Sequence, residues 1–321
     1  MIPGLVLLLL AALLGRVAWR AWPVVQAGRV LRVSRVVSNL ERSERFYREA
    51  LGFRTISKGP ADPFLTALLG FGDERAEEWV MRLGEEEIAL VRFDRPAEPY
   101  PPGARSDDAW FQHLAIVVRD MAAAAAVLLS HSPTTISRGG PQRLPARNGG
   151  VEAFKFRDPD GHPLELIRFP PGQGRPVWQD RGGMGPFLGI DHSALAVGSS
   201  ARSRAFYRRL GFQAVGTSHN DGLAQAALDG LEEPDVRITA LRPRGAEGPG
   251  LELLAYRPPG RRGPWPPARS LATDWVTVSV RGGTRLPGGR RALALRDPDG
   301  HRILLVDQRG GTTDPASGPA T

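Results

Sequence analysis

The chain has 321 residues, room for two domains at about 150 residues each, and no cysteine, which excludes disulfides, zinc knuckles, iron–sulfur clusters and thiol nucleophiles together. Hydrophobic residues make up 41% and charged residues 24%, the balance of a soluble globular chain, and the many glycines and prolines (38 and 29) announce frequent turns between short elements. The net charge of +8 does not make a phosphate track: 40 of the 42 basic residues are arginine, the mark of a coding bias, and they are scattered with no run of five or six like charges, so nucleic acid is not an expected partner.

Ile2 to Gly15 form a 14-residue apolar run, the length of a signal-peptide core and short of the ~20 residues of a membrane span. Arg16 and Arg20 follow the run rather than precede it, which for a retained anchor would hold the body on the cytoplasmic side. Val25-Gln26-Ala27 offers a small-residue cleavage site. Residues 1–28 are therefore expected to be a signal or anchor segment, which favours export or membrane association over a cytoplasmic location. The globular part is expected to start near Arg29.

Beyond that point the chain repeats itself. Arg42 to Arg48 (RSERFYR), ending in Leu51-Gly52-Phe53, recurs 160 residues later as Arg202 to Arg208 (RSRAFYR), ending in Leu210-Gly211-Phe212. Phe156 to His162 (FRDPDGH) recurs 139 residues later as Leu295 to His301 (LRDPDGH), so the second copy is a shortened one. Each copy holds two units that open with an alternating strand, enter an amphipathic helix and finish in three short strands. The opening strands are expected at Leu31–Val37, His113–Val118, His192–Val197 and Trp275–Val280, and the helices at Glu41–Leu51, Met121–Ser130 and Ala201–Leu210. In unit four the glycine-rich Arg281–Gly289 stands where a helix belongs and cannot sustain one. Connectors at Ala97–Asp108, Pro170–Pro186 and Arg257–Ser270 part the units, giving domains at 29–170 and 187–307 and a disordered tail at 308–321.

The run ERSERFYREALGF after a strand, with FKFRDPDGHPLELIRF closing the partner unit, resembles the vicinal oxygen chelate superfamily. That group takes in glyoxalase I, methylmalonyl-CoA epimerase, extradiol dioxygenases and the fosfomycin and bleomycin resistance proteins. The resemblance spans nearly all of Arg29 to Asp307. It implies an α+β fold in which four βαβββ units pair into two open eight-stranded barrels, the fourth unit lacking its helix. It also implies a divalent metal held by the start of each unit's first strand and the middle of its last.

At the first-strand position the four units carry Arg32, His113, His192 and Trp275, and at the last-strand position Ala89, Glu165, Glu252 and Leu304. The resemblance thus implies His113, Glu165, His192 and Glu252 as metal ligands, with Glu165 or Glu252 able to leave the ion and act as general base. Two imidazoles and two carboxylates suit Ni, Zn, Fe, Mn or Co and neutralise a dication. A lone strand-opening histidine is ordinarily structural; two in one register, each with a glutamate on its own unit's last strand, point to a site. All four ligands meet only if unit two pairs with unit three, which the long connector allows; one and four would then form a barrel plugged by Arg32 and Trp275. Strand alternation puts Tyr256 on the face of Glu252 as a substrate contact, while Gln112 and Asp191 stand beside the histidines as orienters or plain strand-end residues. His162 and His301, which close the DPDGH turns, are read as structural.

These readings give a metal-dependent lyase or isomerase of glyoxalase type, lactoylglutathione lyase-like, acting on a small oxygenated molecule by proton abstraction beside a carbonyl. The alternatives are an extradiol-type ring-cleaving dioxygenase and a non-catalytic binder of an antibiotic or other small molecule, as in bleomycin resistance. Export would speak against a glutathione adduct as substrate. A monomer with an internal pseudo-dimer is the expected assembly.

Overall fold

A computed structural model describes residues 24–180, 182, 185–261, 265–281, 286, 289 and 291–307. The apolar run at 2–15, the tail from 308 and most of the glycine-rich segment of unit four lie outside the described residues. Among the described residues no helix is long and apolar enough to cross a membrane.

Unit one comprises β1 (Ala27–Val36), α1 (Leu40–Leu51), β2 (Arg54–Pro60), a short α2 (Pro63–Leu68), β3 (Ala76–Leu83) and β4 (Glu86–Phe93). The α1 boundaries follow from capping: the Asn39 side chain accepts from the Arg42 amide, and Gly52 takes the left-handed conformation (φ 74°) that stops the helix. Unit two comprises β5 (Gln112–Val118), α3 (Met121–Ser130), two scraps of strand, β6 (Thr134–Thr135) and β7 (Gln142–Arg143), then β8 (Glu152–Arg157) and β9 (Pro163–Arg168). A one-turn helix, α4 (Pro176–Asp180), sits in the connector to unit three. That unit holds β10 (Phe187–Ala196), α5 (Ser200–Arg209), β11 (Phe212–Asp221), α6 (Gly222–Asp229), β12 (Asp235–Pro243) and β13 (Gly250–Tyr256). Unit four supplies β14 (Asp274–Val280), β15 (Ala292–Arg296) and β16 (Arg302–Val306).

The strands form two sheets. One runs β15-β16-β14-β1-β4-β3-β2 and the other β11-β12-β13-β10-β5-β9-β8-β6, with β7 attached to β8. Unit one therefore pairs with unit four, and unit two with unit three, each pair meeting along antiparallel first strands, β1 on β14 and β5 on β10. The eight strands expected per sheet become nine where the second strand of unit two is broken into β6 and β7, and seven where unit four supplies three strands among the described residues.

Side chains alternate between two environments, as the strand period requires. A shared core lies between the sheets: Val33, Ile88 and Leu90 of the first join Leu114, Ile116 and Leu166 of the second around the buried faces of α1, α3 and α5. The opposite faces carry separate smaller cores, one with Val91, Trp275 and Leu304, another with Ala115, Val117 and Ile167. The fold also begins earlier than expected. Val25 and Ala27 are buried and their amides donate to the carbonyls of Arg209 and Leu210, so the small-residue step at 25–27 belongs to the packed body. Gly211 (φ 90°) makes this approach possible; a Cβ there would stand 2.7 Å from the Ala27 nitrogen.

Candidate metal centre

The geometry of the second sheet follows from three ladder registers. Across β5 and β10, His113 lies opposite Ala194 and His192 opposite Ala115. Parallel pairing then sets Glu165 of β9 beside Ala115 and Glu252 of β13 beside Ala194. Two cross-strand rows result, Glu165–Ala115–His192 and His113–Ala194–Glu252, related by the pseudo-twofold between the units. The alanine at the centre of each row leaves a methyl where a larger side chain would fill the space. The sheet wraps here around a cavity of about 360 Å³ whose wall includes all four of His113, Glu165, His192 and Glu252.

Within it, the ligating atoms of His113, Glu165 and His192 lie within 4.8 Å of one another, and all three residues are buried. His113 Nε2 is 2.8 Å from Glu165 Oε2, the two imidazole rings are 5.9 Å apart centre to centre, and His192 Nε2 is 3.4 Å from Glu252 Oε2. Glu252 is the most open of the four, with 24% of its side chain exposed, and stands one step outside the tight group. Although close to carboxylates, both Nε2 atoms lack a hydrogen bond of acceptable direction, as does His113 Nδ1. Buried nitrogens left in this way carry a desolvation penalty that a shared cation would remove. These donors fit a divalent ion of the first transition series.

His192 is oriented from behind. A bulge between Ile190 and His192 in the β10–β5 ladder turns Asp191 so that its Oδ2 accepts from His192 Nδ1 at 3.0 Å, leaving Nε2 for the cavity. Asp191 Oδ1 accepts in turn from the indole of Trp178, in α4, and from Arg242. The Gln112 side chain donates to the Ser193 hydroxyl at 3.0 Å. The connector residues Trp178 and Arg175 thus belong to the site, which the sequence reading had passed over as linker.

The electrostatics separate the two halves. Burial pushes His113 down to about 4, and the Lys155 ammonium acts in the same direction. For His192 burial also acts downward, but the carboxylates of Glu252 and Asp191 outweigh it and hold the ring at about 9. Burial would raise Glu165, yet Lys155 and His113 keep it ionised with a value of about 2. Glu252 moves up, chiefly through burial.

Tyr256 departs from its expected role. It does share the face of Glu252, but four residues along β13 carry it about 13 Å away, and it is absent from the described residues that line the cavity. Its hydroxyl is buried and donates to Asp229 Oδ2 at 3.0 Å, so it supports the site at one remove. His162 and His301 are structural, the first bonded to Asp158 and the second to the Ala196 carbonyl. His219 pairs with Asp235 at the surface. Arg32 and Trp275 do not plug the first sheet: a cavity of about 290 Å³ remains, with both residues on its wall.

Comparison with known proteins accords with this architecture. Residues 29–166 match the model of the Glyoxalase/Bleomycin resistance protein/Dioxygenase superfamily. Lactoylglutathione lyases of Arabidopsis thaliana and Oryza sativa subsp. japonica are 29% and 28% identical over 149 and 150 residues, covering 46% of this chain and 46% and 45% of theirs. The chain thus spans about half the length of the curated relatives it matches. Glyoxalase I from Zea mays superposes over 87% of this chain and 92% of its own with a TM-score of 0.55 at 18% identity. A Bacillus subtilis protein described as a dioxygenase superposes over 89% and 87% with a TM-score of 0.53 at 15% identity, so both likenesses speak for the fold. The two sheets of paired βαβββ units thus share the fold of glyoxalase I, and residues 29–166, the first two units in sequence, are the part that matches the Glyoxalase/Bleomycin resistance protein/Dioxygenase superfamily model.

Proposed function

We propose that the second sheet houses a metal-dependent lyase or isomerase of glyoxalase type, with His113, Glu165, His192 and Glu252 as the residues that hold the ion. The observation that carries this reading is the buried group of His113, Glu165 and His192, in which the Nε2 atoms of both histidines lack a hydrogen bond. A bound dication would polarise a substrate carbonyl and acidify the neighbouring C–H. The chain's own part is to supply the base and the dry pocket. Glu252 suits the base: it is the more open carboxylate and its affinity for a proton is raised, whereas Glu165 is held ionised beside the Lys155 ammonium. The C–H proton would pass to Glu252 and return to the adjacent carbon.

The lactoylglutathione lyase relatives support the hemithioacetal of methylglyoxal and glutathione as first substrate to try. Purified protein is expected to retain about one equivalent of a transition metal by elemental analysis and to isomerise that adduct in a chelator-sensitive way. Glu165→Gln should lower metal affinity by more than about 100-fold, since loss of an outer partner alone costs 10- to 100-fold. A protein that takes up no metal would be a small-molecule binder instead. One observation favours the dioxygenase: the tightest group is two histidines and one carboxylate, the set of non-haem iron oxygenases. Oxygen uptake with catechols after iron loading, undiminished in Glu252→Gln, would decide for it.

A further inference from the structure

Lysine is nearly absent from this chain, and one of its two lysines is buried in the site. Lys58 is exposed and lies over the Trp79 ring, whereas Lys155 is 3% exposed and lines the cavity. Its place in the fold is specific. On β8 it stands directly opposite Glu165, extending that row to Lys155–Glu165–Ala115–His192. The equivalent neighbours of the other last strands are Ala240 opposite Glu252, Val80 opposite Ala89 and Ala294 opposite Leu304. Only unit two puts a charge there, so the position itself does not demand one.

A purely structural ion pair explains this poorly. Lys155 Nζ donates to Asp229 Oδ1 at 2.6 Å, across the boundary between units two and three, with both groups buried. Asp229 is held at the end of α6, where Oδ2 also accepts from Gln225 Nε2 at 2.8 Å and Tyr256 OH at 3.0 Å. Three polar groups, Asp229, Gln225 and Tyr256, are thus engaged to keep one ammonium fixed, although apolar side chains of similar size commonly serve a core as well or better. An ammonium has three N–H donors, and one goes to Asp229.

We propose that Lys155 is a ligand-binding residue of the candidate metal centre, its ammonium donating to an anionic oxygen of the bound molecule, with Asp229, Gln225 and Tyr256 as its positioning residues. This rests on the metal-dependent reading above. The class of ligand follows: a small molecule with an oxygen that is or becomes negative where the ammonium can reach it. In the proton abstraction, the electron pair of the broken C–H bond moves onto the carbonyl oxygen as the proton passes to a carboxylate. A fixed cation in a dry pocket stabilises the charge collected there.

The two lysines make a direct test possible. In zinc-loaded protein made with isotopically labelled lysine, two side-chain nitrogen resonances are expected, assigned through Lys58→Arg at the surface. Acetohydroxamate, a vicinal-oxygen anion, should shift the Lys155 resonance and leave that of Lys58 in place. Binding can be measured alongside. Lys155→Met combined with Asp229→Asn, which avoids stranding a buried carboxylate, should weaken acetohydroxamate by about 10- to 100-fold, the worth of one charge-assisted hydrogen bond. Zinc affinity should be unchanged or tighter, because a neighbouring cation is gone. An unmoved Lys155 resonance on saturation with acetohydroxamate, or equal affinity in the double variant, overturns the assignment while zinc binding keeps the metal reading alive. Failure of the unaltered protein to bind zinc overturns both.

Discussion

The two sheets share one repeat and one topology, and differ in what stands along their central rows. In the second sheet the rows read Glu165–Ala115–His192 and His113–Ala194–Glu252; in the first they read Ala89–Ser34–Trp275 and Arg32–Thr277–Leu304. Both sheets keep a cavity, of about 360 and 290 Å³, and the difference lies in what the rows present to it. Small residues flank the ligands in the second sheet, and the Nε2 atoms of its two ligand-position imidazoles lack hydrogen bonds. In the first, Trp275 packs near Phe71, Val91 and Leu304, while Arg32 turns to the rim and meets Glu78 at 3.5 Å with both side chains about a quarter exposed. A cation is tolerated at this position because Glu78 pairs with it and about a quarter of its side chain still reaches water. What this teaches is that one scaffold can spend its inward face on a site or on a core, and substitutions should separate the two uses.

The largest expected effect is on the packed side. Trp275 is 3% exposed, and Trp275→Ala should cost about 3–5 kcal/mol of stability, as deletion of a buried aromatic ring does. Denaturant titration gives the cost, and zinc affinity of the still-folded fraction should not move. A change in zinc affinity would show that the two sheets are coupled through the core they share.

Next in size is a change that touches no ligand directly. Asp191 Oδ1 receives two obligate donors, Trp178 Nε1 and Arg242 Nη2, while Oδ2 accepts from His192 Nδ1. In Asp191→Asn the amide oxygen must face the two donors, so the NH2 group faces His192. That favours the tautomer with its proton on Nε2, the wrong one for a metal. Zinc affinity is expected to fall by about 100-fold with the fold intact, the upper end of outer-partner effects. Ring-nitrogen shifts of His192 would report the tautomer; an unaltered tautomer and affinity would remove Asp191 from the site.

Much of this contrast was legible in the sequence, and for identifiable reasons. Ligand-type residues at His113, Glu165, His192 and Glu252 fall wholly in units two and three, and the long connector permits those units to pair, so the ladder order β13-β10-β5-β9 could be foreseen. Helix ends were readable where a cap or a glycine marks them: α3 runs Met121–Ser130 as its pattern predicts, with Asp120 as its cap. Other features had no local signal. Lys155 sits in an alternating strand where a polar residue reads as outward-facing, and only the ladder turns it inward beside Glu165. Asp191 reaches His192 through a bulge that no spacing rule announces. The helix α6 was missed between strands, although Gly230 (φ 66°) after Ala-Leu-Asp is a stop signal that could have revealed it.

The smallest effect concerns the two DPDGH turns, which bring the same comparison down to single carboxylates. In unit two, Asp158 is buried, which would raise it, but His162 and Arg35 hold it at about 2; it accepts from His162 Nδ1 and Tyr47 OH. In unit four, Asp297 also accepts from a tyrosine, Tyr207, but no arginine corresponds to Arg35 and His301 turns its ring to the Ala196 carbonyl. Burial therefore dominates and Asp297 is raised. The signs are opposite. A depressed carboxylate contributes stability that is complete above its unfolded value near 4 and is lost as pH falls toward 2. A raised one disfavours the fold once ionised, and protonation on the way down relieves that cost. Asp158 is expected to contribute about 2 kcal/mol at neutral pH. Asp158→Asn should thus lower stability at pH 7 and flatten its decline between about pH 4 and 2, whereas Asp297→Asn should leave stability at pH 7 unchanged or improved. Thermal unfolding of the two variants across that range checks both signs at once. Equal losses at pH 7 would mean that the turns are energetically alike and that Arg35, 2.8 Å from Asp274, serves only its own ion pair.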